Sequence, residues 1–322
     1  MKSRTRAVIV FLTVIAFATV PILAHRWGRE VRPKGDFRVL GDSMWPTLRS
    51  GQICRVIPTN RPLAVGDVVA ILVDGKRRVK RVAALPGQEV RFAEGRLLVD
   101  SVRLEEWLAT QAPKVPPSPV AVETSPDSWG RSEDGQWLIY RHRNSHVGQR
   151  VTAVMDDYPI NESVKRQLNP VDHLIVQVDP PGSSSDASHA AATEQLIVDF
   201  FVEGVIRRGR FESGLARSRD ATLRLDDDAL DDDALAAESP IRIRAVGLPD
   251  EIQFHVFREI EYRRGGPSGF HRFPLVLEEG DVFVVGDNVP VSVDSRSFGP
   301  IAIDDVLGLV EVVTNPSSQD RL

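Results

Sequence analysis

The sequence of 322 residues has a single cysteine, Cys54, so it cannot form a disulfide within the chain. No cysteines or histidines stand at the spacing of zinc ligands, and the aspartate-rich run at 226–235 lacks the glycine and terminal glutamate of an EF-hand calcium loop. The formal net charge of −5 gives no reason to expect a nucleic-acid partner. We therefore expect no metal, no cofactor and no bound nucleic acid.

One long uncharged run is present, at residues 7–24 (AVIVFLTVIAFATVPILA). As a helix, its 18 residues span about 27 Å, close to the ~30 Å hydrocarbon core of a bilayer. Lys2, Arg4 and Arg6 precede the run, which favours an amino terminus in the cytoplasm. The alternative is a cleaved secretory signal, but the run is longer than the usual apolar region and ends in a poor cleavage site. We predict a retained single-pass anchor in the cell membrane, with the remainder of the chain on the extracytoplasmic face.

The rest of the sequence predicts short β-strands, because Val-, Ile- and Leu-rich stretches alternate with glycine, proline and aspartate turn signals. Helical periodicity is weak outside the anchor. The clearest candidate strands lie at 52–57, 67–73, 78–84, 89–92, 96–99, 281–285 and 306–313. Between residues 104 and 271 the composition changes, with a proline-rich stretch, a Gly/Ser/Ala-rich stretch and further candidate strands. We predict that this part is a large β-rich insertion.

Three short segments contain residues suited to chemistry: GDSMWPTL at 41–48, VKRVAALPG at 79–87 and GDNVPVSVDSRSFGP at 286–300. In the first, Ser43 stands in a turn next to Pro46, whose fixed backbone angle restricts the local conformation. A serine hydroxyl is a weak nucleophile without a base beside it, and a neutral lysine can act as that base.

Lys80, in the second segment, stands in a sequence pattern that suits such a base. Free lysine has a pKa near 10.4, and lowering it to about 8 takes roughly 3 kcal/mol against the charged form, which desolvation can supply. In a strand with alternating faces, Lys80 lies with Val82 and Ala84 on the side of the expected core, whereas Val79 and Arg81 lie on the other side.

Taken one at a time, these residues have simpler interpretations. Ser43 alone is most often a turn serine, and Lys80 alone a solvated strand lysine. Asp294 and Arg296 alone are most simply a surface ion pair that contributes little to stability.

Together, and in this order behind a predicted anchor, the three segments resemble the sequence boxes of the bacterial type I signal peptidases, which are Ser-Lys serine endopeptidases. The family pattern Ser-Met-x-Pro-Thr is met at 43–47, and Lys-Arg-x-x-x-x-Pro-Gly is met at 80–87. The Gly-Asn/Asp-rich box with Ser-x-Asp-Ser-Arg is met at 286–296. The resemblance covers about residues 1–100 and 274–313.

The resemblance implies a role for each matching residue. Ser43 would be the nucleophile, and its backbone N–H would contribute to the oxyanion hole. Lys80 would be the general base, held toward Ser43 by a hydrogen bond from Ser292. Asp294 and Arg296 would form a supporting pair behind the site.

Three further residues would have supporting roles. Met44 would line the substrate cleft or touch lipid at the membrane surface, and Arg81 follows the base in the second box. Gly41 stands where some family members have a serine whose hydroxyl is a second oxyanion donor, so another backbone group or water would replace that donor here. Losing such a donor without replacement can cost ~10²–10³ in rate.

The predicted fold is mainly β: a transmembrane helix, then an antiparallel β catalytic core of signal-peptidase type that the β-rich insertion interrupts. The predicted boundaries are a cytoplasmic tip and anchor at 1–30, the first part of the core at 31–103, the insertion at 104–271 and the second part of the core at 272–322.

The predicted function is a membrane-bound serine endopeptidase that removes N-terminal signal peptides from exported preproteins, cleaving after a small residue of the Ala-x-Ala type. Its expected partners are preprotein signal peptides and the lipid bilayer, and an unidentified partner of the insertion is left open. One alternative is a non-catalytic, membrane-tethered binding protein that retains the peptidase fold. A second is a self-cleaving Ser-Lys protease like the repressors of the DNA-damage response, against which the anchor and the third segment argue.

Overall fold

The computed structural model describes residues 35–112, 117–122, 126–144, 147–161, 167–179, 196–223, 235–244, 252–264 and 272–314. The predicted anchor at 7–24 lies outside these residues. Within the described ranges, no helix is long and apolar enough to cross a membrane.

The prediction of a mainly β chain is confirmed. In chain order, the first strands are β1 (Asp36–Arg38), β2 (Ile53–Ile57), β3 (Val68–Val73), β4 (Lys76–Ala84), β5 (Glu89–Ala93), β6 (Arg96–Val99), β7 (Val102–Arg103), β8 (Val120–Ala121), β9 (Trp129–Arg131), β10 (Trp137–Tyr140), β11 (Arg143–Asn144) and β12 (Arg150–Val151). They are followed by β13 (Leu174–Asp179), β14 (Ile197–Val202), β15 (Val205–Arg210), β16 (Leu215–Arg217), β17 (Thr222–Leu223), β18 (Ile241–Arg244), β19 (Gln253–Arg258), β20 (Leu275–Val276), β21 (Asp281–Val285), β22 (Ile301–Ala302) and β23 (Val306–Thr314). The described α-helices are short, at Leu104–Gln111 and Ser295–Phe298.

The central element is a seven-stranded antiparallel sheet in the order β1-β2-β23-β3-β4-β21-β22. Two of its middle strands, β3 and β21, are apolar on both faces. On β21, Val282 and Val284 pack with Ile71 on one face, whereas Phe283 and Val285 pack into a second core on the other. Because both faces are covered, these strands are nearly continuous apolar runs rather than alternating ones.

The second core lies between this sheet and a four-stranded sheet in the order β20-β5-β6-β7. The helix Leu104–Gln111 closes the same core, because Leu104 and Leu108 stand one turn apart and both are buried. The strand prediction missed this helix, because its eight residues are too few to show a clear helical period, although Trp107 also packs against the core.

Most of the remaining strands form two further sheets within residues 120–258. A six-stranded sheet in the order β17-β15-β14-β18-β10-β9 faces a four-stranded sheet in the order β16-β13-β19-β8. Their inner faces share one apolar core that includes Tyr140, Phe200 and Ile241 from the first sheet and Val176 and Val256 from the second. This is the packing of a β-sandwich.

Buried charges lie where the sandwich meets the first two sheets. Arg96 on β6 donates to Glu105 at 2.9 Å and lies 3.0 Å from Glu261, which follows β19. Burial and the neighbouring Glu261 charge raise the pKa of Glu105 to about 7. The junction is therefore built from buried ion pairs as well as apolar contacts, and the proposed domain boundaries at 103/104 and 271/272 stay a prediction.

A small cluster of buried residues supports the turn that follows β1. Val39, Met44, Leu48 and Cys54 pack together, and Cys54 on β2 is fully buried. Burial raises the pKa of the Cys54 thiol. The free cysteine is therefore a small core residue of the central sheet.

Replacing Phe283 by alanine tests the placement of the second core. Phe283 is fully buried and meets Phe273 edge-on, with ring centroids 6.1 Å apart. We expect the Phe283→Ala variant to lose about 3–5 kcal/mol in the free energy of unfolding, measured by urea denaturation in detergent micelles. The control, Leu72→Ala, removes a side chain that is 40% exposed and should change stability by about 0.5 kcal/mol or less. Equal losses in the two variants would contradict the described core.

Candidate active site

The three segments singled out in the sequence meet at one place. Ser43 lies in the turn after β1, Lys80 lies in the middle of β4, and the 286–294 loop follows β21. Lys80 Nζ donates a hydrogen bond to Ser43 Oγ at 3.0 Å. The backbone N–H of Asn288 donates to the carbonyl of Ser43 at 3.0 Å, so the loop is tied directly to the serine.

Lys80 is a buried amine. Its side chain is 2% exposed, because β4 is covered on both faces at this point. Desolvation lowers the pKa of Lys80 to about 8, against an attraction from the Asp294 carboxylate that favours the charged form. The charges of Arg78 and Arg296 act in the same direction as burial. A substantial fraction of the amine is therefore neutral near pH 8, as a general base requires.

Asp294 and Arg296 form a buried pair behind the amine. Arg296 donates to both carboxylate oxygens of Asp294, each at 2.8 Å, and the Gly286 N–H donates to the same carboxylate at 2.9 Å. Burial alone would raise the pKa of Asp294, but Arg296 outweighs it and holds the pKa below its ordinary value. Asp294 also caps the helix Ser295–Phe298 by accepting from the Arg296 N–H.

A second buried ion pair lies on the other face of β4. Arg81 is fully buried and donates to both oxygens of Asp287, at 2.9 and 2.7 Å. Thr47, from the serine turn, donates to the same carboxylate. Asp287 therefore joins the strand of Lys80 to the turn of Ser43, a role that its position in the third segment did not reveal.

Ser292 does not form the expected hydrogen bond to Lys80. Its hydroxyl oxygen is buried and has no hydrogen-bond partner among the described residues. The hydroxyl lies over Gly286, where a Cβ would come within 2.1 Å of it and within 2.6 Å of the Ser43 carbonyl oxygen. Ser292 is thus next to the serine turn without a hydrogen bond to the amine.

A groove with a cavity volume of about 430 Å³ opens at the Ser43–Lys80 pair. Its lining is mostly apolar: Phe37, Val39, Leu40, Met44, Val56, Ala70, Val79, Val291 and Val293, together with Arg38, Gly41, Arg77 and Arg78. Met44 borders the groove but is 2% exposed, which leaves almost no surface for the alternative contact with lipid.

Gly41 supplies no side-chain donor, and its surroundings are open. Its backbone has φ +79°, a conformation that disfavours side chains, and a Cβ there would meet no atom within 4 Å. The Ser43 N–H donates no hydrogen bond to any residue that the structure describes, so it is free to face an oxyanion. Among the described residues, no group of three or more His, Cys, Asp or Glu side chains is placed to hold a metal ion.

Comparison with protein families places this site in a known context. The model of the family described as signal peptidase, peptidase S26, matches residues 5–157 and 217–314. The match covers well over half of the chain, which therefore belongs to this family of serine peptidases. It extends beyond the resemblance seen in the sequence, since it includes 104–157 and 217–271 and leaves out only 158–216 between its two parts. A comparison with curated proteins yields no match.

Gly286 offers a direct test of the geometry. We expect the Gly286→Ala variant to lose most labelling of Ser43 by a serine-directed acylating probe, because a Cβ would displace Ser292 and the Ser43 backbone. Gly130→Ala is the matched control: its Cβ would meet only the flexible end of Arg141, at 3.1 Å. Wild-type labelling of the Gly286→Ala protein would show that the loop does not approach Ser43 so closely.

Proposed function

We propose that this chain is a membrane-bound endopeptidase that removes signal peptides from exported preproteins, with Ser43 as nucleophile and Lys80 as general base. The observation that carries the proposal is the 3.0 Å contact between the Ser43 hydroxyl and a buried amine whose pKa is lowered to about 8. The family match supports the general activity, and this pair supports the chemistry.

The proposed reaction begins when Ser43 Oγ attacks the scissile carbonyl carbon and neutral Lys80 takes the hydroxyl proton. The carbonyl electrons move to its oxygen, which the Ser43 N–H faces. Lys80 then gives the proton to the departing nitrogen as the C–N bond breaks, which leaves an ester on Ser43. Water attacks the carbonyl carbon of this ester with Lys80 again as base. The bond between that carbon and Ser43 Oγ then breaks, the carboxyl product leaves, and Lys80 returns the proton to Ser43 Oγ.

The charges around Lys80 suit both of its protonation states. Arg78 and Arg296 favour the neutral amine that must accept a proton, whereas Asp294 and Asp287 stabilise the ammonium that then forms. Because each carboxylate is itself paired with an arginine, neither binds Lys80 as a fixed counter-ion.

The groove and its surroundings support the proposed substrate and location. Its apolar lining suits small apolar side chains such as those of an Ala-x-Ala site. Leu40, which lines the groove, is 85% exposed, and Val312 and Val313 at the same end of the sheet are also exposed. Such side chains fit a surface that lies at a bilayer, below the anchor proposed at 7–24.

Cleavage of a model preprotein with an Ala-x-Ala site, in detergent micelles, tests the proposal. We expect the wild-type protein to release the signal peptide, and the Ser43→Ala variant to cleave more than about 10³-fold more slowly because the nucleophile is lost. The control is Ser50→Ala, which removes an exposed hydroxyl from the end of the same turn and should keep the wild-type rate. Cleavage by Ser43→Ala at the wild-type rate would exclude Ser43 as nucleophile.

The pH dependence tests Lys80. The amine acts only when neutral, so kcat/KM should rise with pH and level off above a midpoint near 8, with about 1% of the maximum at pH 6. Arg78→Gln should move the midpoint upward, since the Arg78 charge lowers the pKa of Lys80. Arg77→Gln, an exposed neighbour on the same strand, is the control and should leave it unchanged. A midpoint that does not respond to Arg78 would argue against Lys80 as the titrating base.

A further inference from the structure

Three side chains from the predicted insertion at 104–271 reach the loop that carries the candidate active site. Tyr158 and Asn161 follow β12, and Tyr262 follows β19. All three are at least nine-tenths buried, and each hydrogen-bonds to residue 287 or 288. Tyr158 and Asn161 also lie in 158–216, the stretch that the family model leaves out. The contacts of Tyr158 and Asn161 therefore come from a stretch that the family match does not cover, whereas Tyr262 lies within the matched residues.

Tyr262 contacts the ion pair on the far side of β4. Its hydroxyl donates to Asp287 Oδ1 at 3.0 Å, the same oxygen that accepts from Arg81 Nε. Burial raises the pKa of Tyr262 well above its ordinary value, so the hydroxyl keeps its proton and acts as a donor. The tyrosine fixes the carboxylate that connects the serine turn to the strand of Lys80.

Tyr158 lies between the serine turn and the 286–294 loop. Its ring meets the Trp45 ring edge-on at a centroid distance of 5.6 Å, and its hydroxyl donates to the Asp287 carbonyl at 2.5 Å. The guanidinium of Arg258 lies over the face of the Tyr158 ring, 4.5 Å from its centroid. Tyr158 thus contacts both the serine turn and the 286–294 loop, and it sets the distance between them.

Asn161 forms a two-way amide pair with Asn288. Each side chain donates to the other, at 3.0 and 2.9 Å. The backbone N–H of Asn288 donates to the Ser43 carbonyl. The amide pair therefore holds in place a residue that is hydrogen-bonded to the backbone of the proposed nucleophile.

We propose that Tyr158 and Tyr262 are positioning residues, through which the predicted insertion at 104–271 holds the 286–294 loop against Ser43 and Lys80. This inference rests on the proposed peptidase function. Neither tyrosine lines the groove, so neither touches substrate there. The two act instead through Asp287, one on its carbonyl and one on its carboxylate. The site is then incomplete without the part of the chain that the sequence marked as an insertion.

The test compares Tyr158→Phe and Tyr262→Phe with Tyr140→Phe as the matched control. Tyr140 is equally buried, in the sandwich, and its hydroxyl forms a hydrogen bond with the His142 ring at 3.1 Å. This bond involves no residue of the 286–294 loop. Preprotein cleavage gives kcat and KM, and hydrogen exchange gives the protection of amides 286–294. Each loop-facing variant should lower kcat about tenfold with KM within twofold, and its loop should exchange faster. The double variant should lose less than the product of the two, because both act through Asp287.

Two other outcomes are informative. If both variants match Tyr140→Phe in kcat and in exchange, the tyrosines only fill space and the positioning proposal is wrong. If the wild-type protein neither cleaves nor becomes acylated at Ser43, but the loop still exchanges faster in the two variants, the positioning of the loop stands and the peptidase function fails.

Discussion

The candidate site depends on the burial of one amine, that of Lys80, among arginines and carboxylates that are already paired with each other. Arg81 and Arg296 each have a carboxylate oxygen within 3 Å, whereas among the described residues Lys80 has none within 4 Å. The arginines therefore stay charged in the interior, and the lysine is the group whose proton becomes easy to remove. Desolvation lowers the pKa of Lys80, and no carboxylate paired with the amine among the described residues offsets it.

This arrangement demands support from distant parts of the chain. β4 places Lys80 and Arg81 on opposite faces, so each face needs its own covering layer. The 286–294 loop supplies a carboxylate to each face, Asp294 behind the amine and Asp287 behind the arginine. A single loop thus sets the electrostatics of both faces, and a shift of that loop would change both at once.

Much of the sheet was predictable from the sequence, since the strands at 53–57, 68–73 and 281–285 are local runs of β-branched residues between turn signals. Alternation also predicted the burial of Lys80. Arg81 was placed on the opposite face without its burial being foreseen, because its partner Asp287 is 206 residues away. The tyrosine contacts, and the lack of a partner for the Ser292 hydroxyl among the described residues, depend on tertiary packing, which no local pattern encodes. The anchor, the cleavage specificity and the catalytic roles stay predictions.

Cys54 has a practical consequence. The thiolate is the form that reacts with electrophiles, and this thiol is both sealed beneath the serine turn and held protonated by its surroundings. With no second cysteine in the chain, an alkylating reagent has one target and reaches it only when β1, β2 and the turn separate. The rate of alkylation of Cys54, followed by mass spectrometry, therefore reports how often the part of the structure that carries Ser43 opens, without any introduced label.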